Sequence, residues 1–131
     1  MSYNPIGQQE KAKSVSVVLA SDALAKEITP AAQATVSNVY ADVVGSEIDS
    51  LYFKSISYTL INATETITYQ ILGDNRADYA TAVVIQTADI LAAGVATYAV
   101  AQAPYRYYKV QIKDKVNGVH GTTGVYGLAK A

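Results

Sequence analysis

The sequence predicts an all-β fold, an antiparallel β-sandwich of jelly-roll-like form with an extended N-terminal arm, and three observations lead there. Three separate runs alternate apolar and polar residues with a period of 2, as strands buried on one face do. Ile56, Tyr58 and Leu60 alternate with Ser55, Ser57 and Thr59; Ile67, Tyr69 and Ile71 alternate with Thr66, Thr68 and Gln70. Tyr108, Val110 and Ile112 face one way, and Tyr107, Lys109, Gln111 and Lys113 the other. The runs are spaced closely and separated by turn formers, Gly73-Asp74-Asn75-Arg76 and Val116-Asn117-Gly118 among them. No long stretch with helical periodicity intervenes, so about eight strands fit a two-sheet arrangement.

Taken from the N-terminus, residues 1–13 are polar, carry Pro5 and Gly7 and show no period, which predicts an extended arm. Residues 14–131 then form a single sandwich domain. Val15, Val17 and Leu19 alternate with Ser14, Ser16 and Val18, a first strand ending at Ser21-Asp22. The alanines between Ala23 and Ala34 favour a short helix, which Pro30 stops. Val39, Ala41 and Val43 then alternate with Asn38, Tyr40 and Asp42, and Gly45 closes that run. Asn62-Ala63-Thr64-Glu65, between the two strongest runs, has the length of a β-hairpin loop. Between Ala80 and Ala101, Val83-Val84-Ile85 and Val95 to Val100 are read as two short strands around an Asp89–Gly94 loop. Gly121 to Leu128 is the closing strand, its glycines marking bends or close packing against another backbone.

Composition excludes several functions. The chain has 131 residues, the size of one domain that buries roughly two-thirds of its unfolded surface without covalent staples. It has no cysteine, so disulfides and thiolate metal sites are ruled out. With 10 basic and 11 acidic residues there is no electrostatic case for nucleic acid, which demands a clear basic excess. No stretch approaches the roughly 20 apolar residues of a membrane span. The N-terminus lacks a basic leader followed by an apolar core, so no secretory signal is expected. Only 16% of residues are charged, against about 25% for an ordinary globular protein, so some surface is expected to be covered by a partner.

No constellation supports catalysis, a cofactor or a metal. His120 is the only histidine and has no second imidazole or thiol to complete a metal site; no Gly-x-Ser-x-Gly elbow is present. Asp74, Asn75 and Asp78 carry oxygen ligands of the kind calcium takes, but without the spacing of a calcium loop they read as Asx turns of a polar loop. The glycines of residues 118–124 lack the Gly-Lys-Ser/Thr ending of a phosphate cradle. The 11 tyrosines are more informative, since tyrosine joins apolar area to a hydroxyl and suits both interfaces and sugar-stacking surfaces. Tyr58, Tyr69 and Tyr108 read as strand residues whose hydroxyls reach solvent. Tyr105, Arg106 and Tyr107 read as interface residues, because Tyr and Arg dominate binding hot spots. Tyr3 and Ile6 are the apolar anchors of the arm.

Two stretches carry a family resemblance. Ser14-Val15-Ser16-Val17-Val18-Leu19-Ala20-Ser21-Asp22 resembles a Ser-Val-Pro-Val-Val-Leu-Ala-Ser-Asp phrase near the start of structural proteins of tailed bacteriophages, with Ser16 in place of the proline. Ala103 to Lys113, followed by Gly121 to Gly127 and Ala129-Lys130-Ala131, is similar to the closing strands of small β-sandwich modules from the same virions. Ile67 to Asn75 followed by the Tyr-Arg-Tyr strand is similar in order to discoidin-like, galactose-binding-type jelly rolls. The resemblance implies a non-enzymatic virion protein made in the host cytoplasm, a capsid decoration or cementing subunit that contacts capsid or tail proteins and copies of itself. Its rivals are a tail or fibre component, and a carbohydrate-binding module for a host glycan.

Overall fold

The computed structural model describes residues 25–131, which form ten β-strands and no helix. In chain order they are β1 (Ala25–Ile28), β2 (Gln33–Ala34), β3 (Ala41–Asp42), β4 (Ile48–Asp49), β5 (Ser55–Asn62), β6 (Ile67–Asp74), β7 (Val83–Ile90), β8 (Val95–Val100), β9 (Tyr107–Asp114) and β10 (Thr122–Lys130). The expected arm at residues 1–13 and the expected strand at 14–21 lie outside the described residues.

Every pairing is antiparallel, and the strands divide into two sheets. The first has the order β1-β10-β5-β8, with β2 also on β10; the second has the order β3-β9-β6-β7, with β4 also on β9. Because β1 and β2 lie along one partner and β3 and β4 along another, ten strands occupy eight tracks. The pairing is nested: β1 with β10, β3 and β4 with β9, β5 with β8, and β6 with β7. A long antiparallel hairpin rolled up on itself produces this order.

The three alternating runs face a shared core. Ile56, Tyr58 and Leu60 from β5 meet Ile67, Tyr69 and Ile71 from β6 and Tyr108, Val110 and Ile112 from β9, all between 0% and 2% exposed. Each aliphatic side chain buried this fully contributes about 1.5–3 kcal/mol relative to exposure. The hydroxyls of the three buried tyrosines do not reach solvent, contrary to the sequence expectation, since unpaired buried hydroxyls are costly and each here has an internal partner. Tyr58 donates to the Ser46 carbonyl, Tyr69 accepts from Gln86, and Tyr108 accepts from the Tyr105 amide.

Several local expectations are corrected. Ala25–Ile28, just before Pro30, forms β1 and not a helical turn, because pairing with β10 supplies ladder hydrogen bonds that outweigh a weak helix propensity. Val39 points to solvent, because only Ala41 and Asp42 of that run pair as a strand. The Asn62–Glu65 loop is no hairpin: β5 and β6 belong to different sheets, and the loop crosses between them. Buried Asn62 anchors the crossing, its Nδ2 2.7 Å from the Glu65 carbonyl, 3.0 Å from that of Ile90 and 3.1 Å from that of Leu91. Gly121 does pack against another backbone as expected, since a Cβ there would overlap Ile67 and lie 2.5 Å from the Glu65 carbonyl oxygen.

Candidate interaction faces

β9 is central in the second sheet, so its outward side chains form a row on that sheet's outer face. Lys109 places its ammonium 3.0 Å from Asp42 and 4.3 Å from the centre of the Tyr79 ring. Lys113 stands 4.6 Å over the Tyr40 ring, and Arg106 lies 4.9 Å over the Tyr107 ring. Arg106 also grips Asp49 through two hydrogen bonds of 3.0 and 3.1 Å. Gln111 donates to Asp42 at 2.7 Å and accepts from Gln70 at 2.6 Å. Burial opposes ionisation of Asp42, but the Gln111 hydrogen bond and the Lys109 ammonium outweigh it and hold the carboxyl below its ordinary value. For Asp49 the Arg106 hydrogen bond dominates in the same direction.

Of the residues read as interface candidates, Arg106 and Tyr107 sit on this face. Tyr105 turns inward, its ring edge-on to Tyr108 at 6.3 Å and packed against the core. Tyr3 and Ile6 lie outside the described residues. Sequence reasoning missed Tyr79, which reaches the face from the β6–β7 loop; nothing in its local sequence signals that it covers Lys109. Tyr79 holds a left-handed φ of 56°, and its buried hydroxyl has no partner among the described residues. Burial pushes its pKa up.

The carboxylates read as Asx-turn residues are engaged by their own loop. Asp74 accepts from the Thr81 hydroxyl at 2.7 Å, the Thr81 amide at 2.8 Å and the Arg76 amide at 3.1 Å. Asp78 accepts from the Arg76 guanidinium at 2.8 and 3.1 Å and from the Ala80 amide at 3.0 Å. His120 places Nδ1 3.0 Å from both oxygens of buried Asp114, which also accepts from the Gly118 amide at 3.2 Å. That pair ties the β9–β10 loop together. Among the described residues, no three His, Cys, Asp or Glu side chains converge as a metal site would require.

The outer face of the first sheet has a different character. Its middle rows join Leu128, Ser57 and Ala99, then Tyr126, Thr59 and Thr97, then Gly124, Ile61 and Val95. None is charged; Glu27 on β1 and Lys130 at the end of β10 flank them. Val95 is 60% exposed, Tyr126 45% and Ile61 43%. An uncharged patch with apolar side chains in water is a mark of a protein-binding surface.

The molecule is thus an all-β sandwich with one charged, aromatic face and one face whose middle is uncharged. No protein-family model matches the chain, and no curated protein matches it in sequence. The fold is similar to that of the SPBc2 prophage-derived protein YomS, with a TM-score of 0.53, 10% identity and coverage of 82% of this chain and 93% of that one. It is also similar to a subunit of Bacillus endospore appendages, described as disulfide-linked pili, with a TM-score of 0.50, 12% identity and coverage of 81% and 86%. PirA matches with a TM-score of 0.40 and 12% identity over 82% of this chain and 94% of that one.

Proposed function

We propose that this chain is a non-enzymatic structural subunit of a bacteriophage virion, a jelly roll that decorates or cements the capsid by burying its faces against neighbouring virion proteins and copies of itself. The observation that carries the reading is the uncharged outer face of the first sheet, where Leu128, Tyr126, Ile61 and Val95 stand among hydroxyl and methyl side chains. Such a face binds protein by excluding water and puts no charge on a partner. A subunit that binds only the assembled lattice stabilises it by mass action, and many symmetric copies multiply a modest contact energy. The fold shared with a prophage-derived protein and with a pilus subunit supports an assembly role. With no cysteine, assembly here would need non-covalent contacts in place of disulfide links.

The glycan reading draws less support. A sugar stacks on open aromatic faces, whereas on the second sheet's outer face Lys113, Lys109 and Arg106 each lie over a ring, those of Tyr40, Tyr79 and Tyr107. Imaging intact particles tests the proposal. Density for this chain on the capsid surface in symmetric copy number is expected, and Thr59→Lys with Thr97→Lys should lower its occupancy. Recovery of the chain only in the particle-free fraction would overturn the reading.

A further inference from the structure

The two ends of the β5–β8 ladder are built differently. At one end, Leu51, Tyr52, Phe53 and Lys54 precede β5 while Gln102 and Ala103 follow β8, and together they line a hollow of about 410 Å³. The Ala103 amide donates to the Lys54 carbonyl at 2.7 Å, so the hollow's two walls are joined. At the opposite end, the loop after β5 carries Glu65, and the loop before β8 starts at Leu91, which is 69% exposed. Asn62 binds the carbonyls of both loops, so Leu91 projects from a fixed support.

This second pole is nearly free of charge. Across its four loops, residues 35–40, 63–66, 91–94 and 115–121, the charged side chains are Glu65 and Lys115, apart from His120. Lys115 is paired with Asp89 at 2.9 Å. Val36, Val39 and Val116 stand 72%, 69% and 60% exposed there. Neither Glu65 nor Lys54 has an ion-pair partner among the described residues.

We infer that the sandwich stacks pole to pole on a second copy, the Leu91 loop of one copy filling the Leu51–Phe53 hollow of the next with Glu65 facing Lys54. The geometry is a displacement along the strand direction. Lys54 directly precedes β5 at the hollow and Glu65 follows it at the opposite pole, while antiparallel β8 lies beside it with Leu91 before its start and Ala103 after its end. Moving one copy along that axis therefore sets an acidic residue against a basic one and an exposed leucine over a hollow whose walls combine Leu51, Tyr52, Phe53 and Ala103 with Lys54, Gln102 and Ala131. The two poles are different surfaces, so the contact is heterologous and leaves a free pole at each end of the stack, to which further copies add. The inference deepens the proposed assembly role and rests on it only in supposing that self-contact is used.

Sedimentation velocity of the full chain tests this contact. The wild type should associate progressively with concentration. Leu91→Asp and Tyr52→Asp change residues that are 69% and 75% exposed, so their thermal midpoints should match the wild type. Each alone should remain monomeric, and an equimolar mixture should form a 1:1 dimer that grows no further, because one intact pole survives on each partner. Glu65→Lys and Lys54→Glu should each weaken association by about two- to fivefold, and the doubly reversed chain should recover it. A wild type that stays monomeric at every concentration, single variants that associate normally, or a mixture that stays monomeric would each overturn the contact. Particle imaging is independent: loss of this contact with the chain still on the capsid leaves the proposed function standing.

Discussion

At the scale of single residues, Tyr79 departs furthest from ordinary protein chemistry. A bulky side chain at a φ of 56° costs about 1–3 kcal/mol, and a buried hydroxyl without a partner costs about as much again. The ring beneath Lys109 and the Asp74 hydrogen bonds to Thr81 and Arg76 hold the loop in place against that cost. Tyr79→Phe keeps the ring and removes the orphaned hydroxyl, so it should stabilise the fold by roughly 1 kcal/mol in urea unfolding. A loss of stability would mean that the hydroxyl has a partner. The aspartates give a second test. Burial disfavours the Asp114 carboxylate, but hydrogen bonds from Thr35 and His120 outweigh it and hold the group below its ordinary 3.8; Asp42, Asp49, Asp74 and Asp89 are lowered too. A carboxyl lowered in the folded state contributes stability above its unfolded pKa and loses it as pH falls through the folded value. Stability should therefore be flat with respect to these groups from pH 7 to about 5 and fall below about pH 4. Asp114→Asn should flatten that acid limb, as urea midpoints measured across the range would show.

Among elements, the alternating runs were legible because a period of 2 tells which side chains share a face, and nine of nine residues read as inward are buried. Periodicity says nothing about which strand lies alongside. The Asn62–Glu65 loop has hairpin length, yet it crosses between sheets because Asn62 binds carbonyls of two loops and Gly121 admits the Glu65 backbone, contacts made by residues far apart in sequence. Tyr107 was legible as an outward residue for the same reason that β9 was; Arg106, which shares the parity of inward Tyr108, was read from residue type alone, and Tyr79 was not legible, since its place depends on how the β6–β7 loop folds back. The crossover is testable at Gly121. Its Cβ would meet Ile67 and the Glu65 carbonyl, and backbone gives way less readily than a side-chain tip, so Gly121→Ala should cost about 1–3 kcal/mol as overpacking does. Gly118, where a Cβ meets nothing but φ is 85°, separates the two causes: Gly118→Ala should show the smaller cost of backbone strain alone.

For the molecule as a whole, nested pairing places β1 beside β10, so the sandwich closes only when the two ends of the described chain meet. Within residues 25–131, Leu60, Ile67, Ile71, Tyr108, Val110 and Val125 are all 0% exposed. Residues 1–13 have few apolar groups to offer a core, Tyr3 and Ile6 being the large ones beyond Met1. The extended arm expected from their sequence would suit a neighbour's surface, where main-chain and side-chain contacts are gained on assembly. Deleting residues 1–13 should therefore leave the thermal midpoint of the isolated chain within about 2 °C of the full-length value, since a loss of even 1 kcal/mol would move it by several degrees in a domain of this size. The same deletion should lower occupancy on particles or weaken self-association. A large fall in the midpoint would make the arm part of the sandwich, and unchanged occupancy together with unchanged self-association would remove it from assembly altogether.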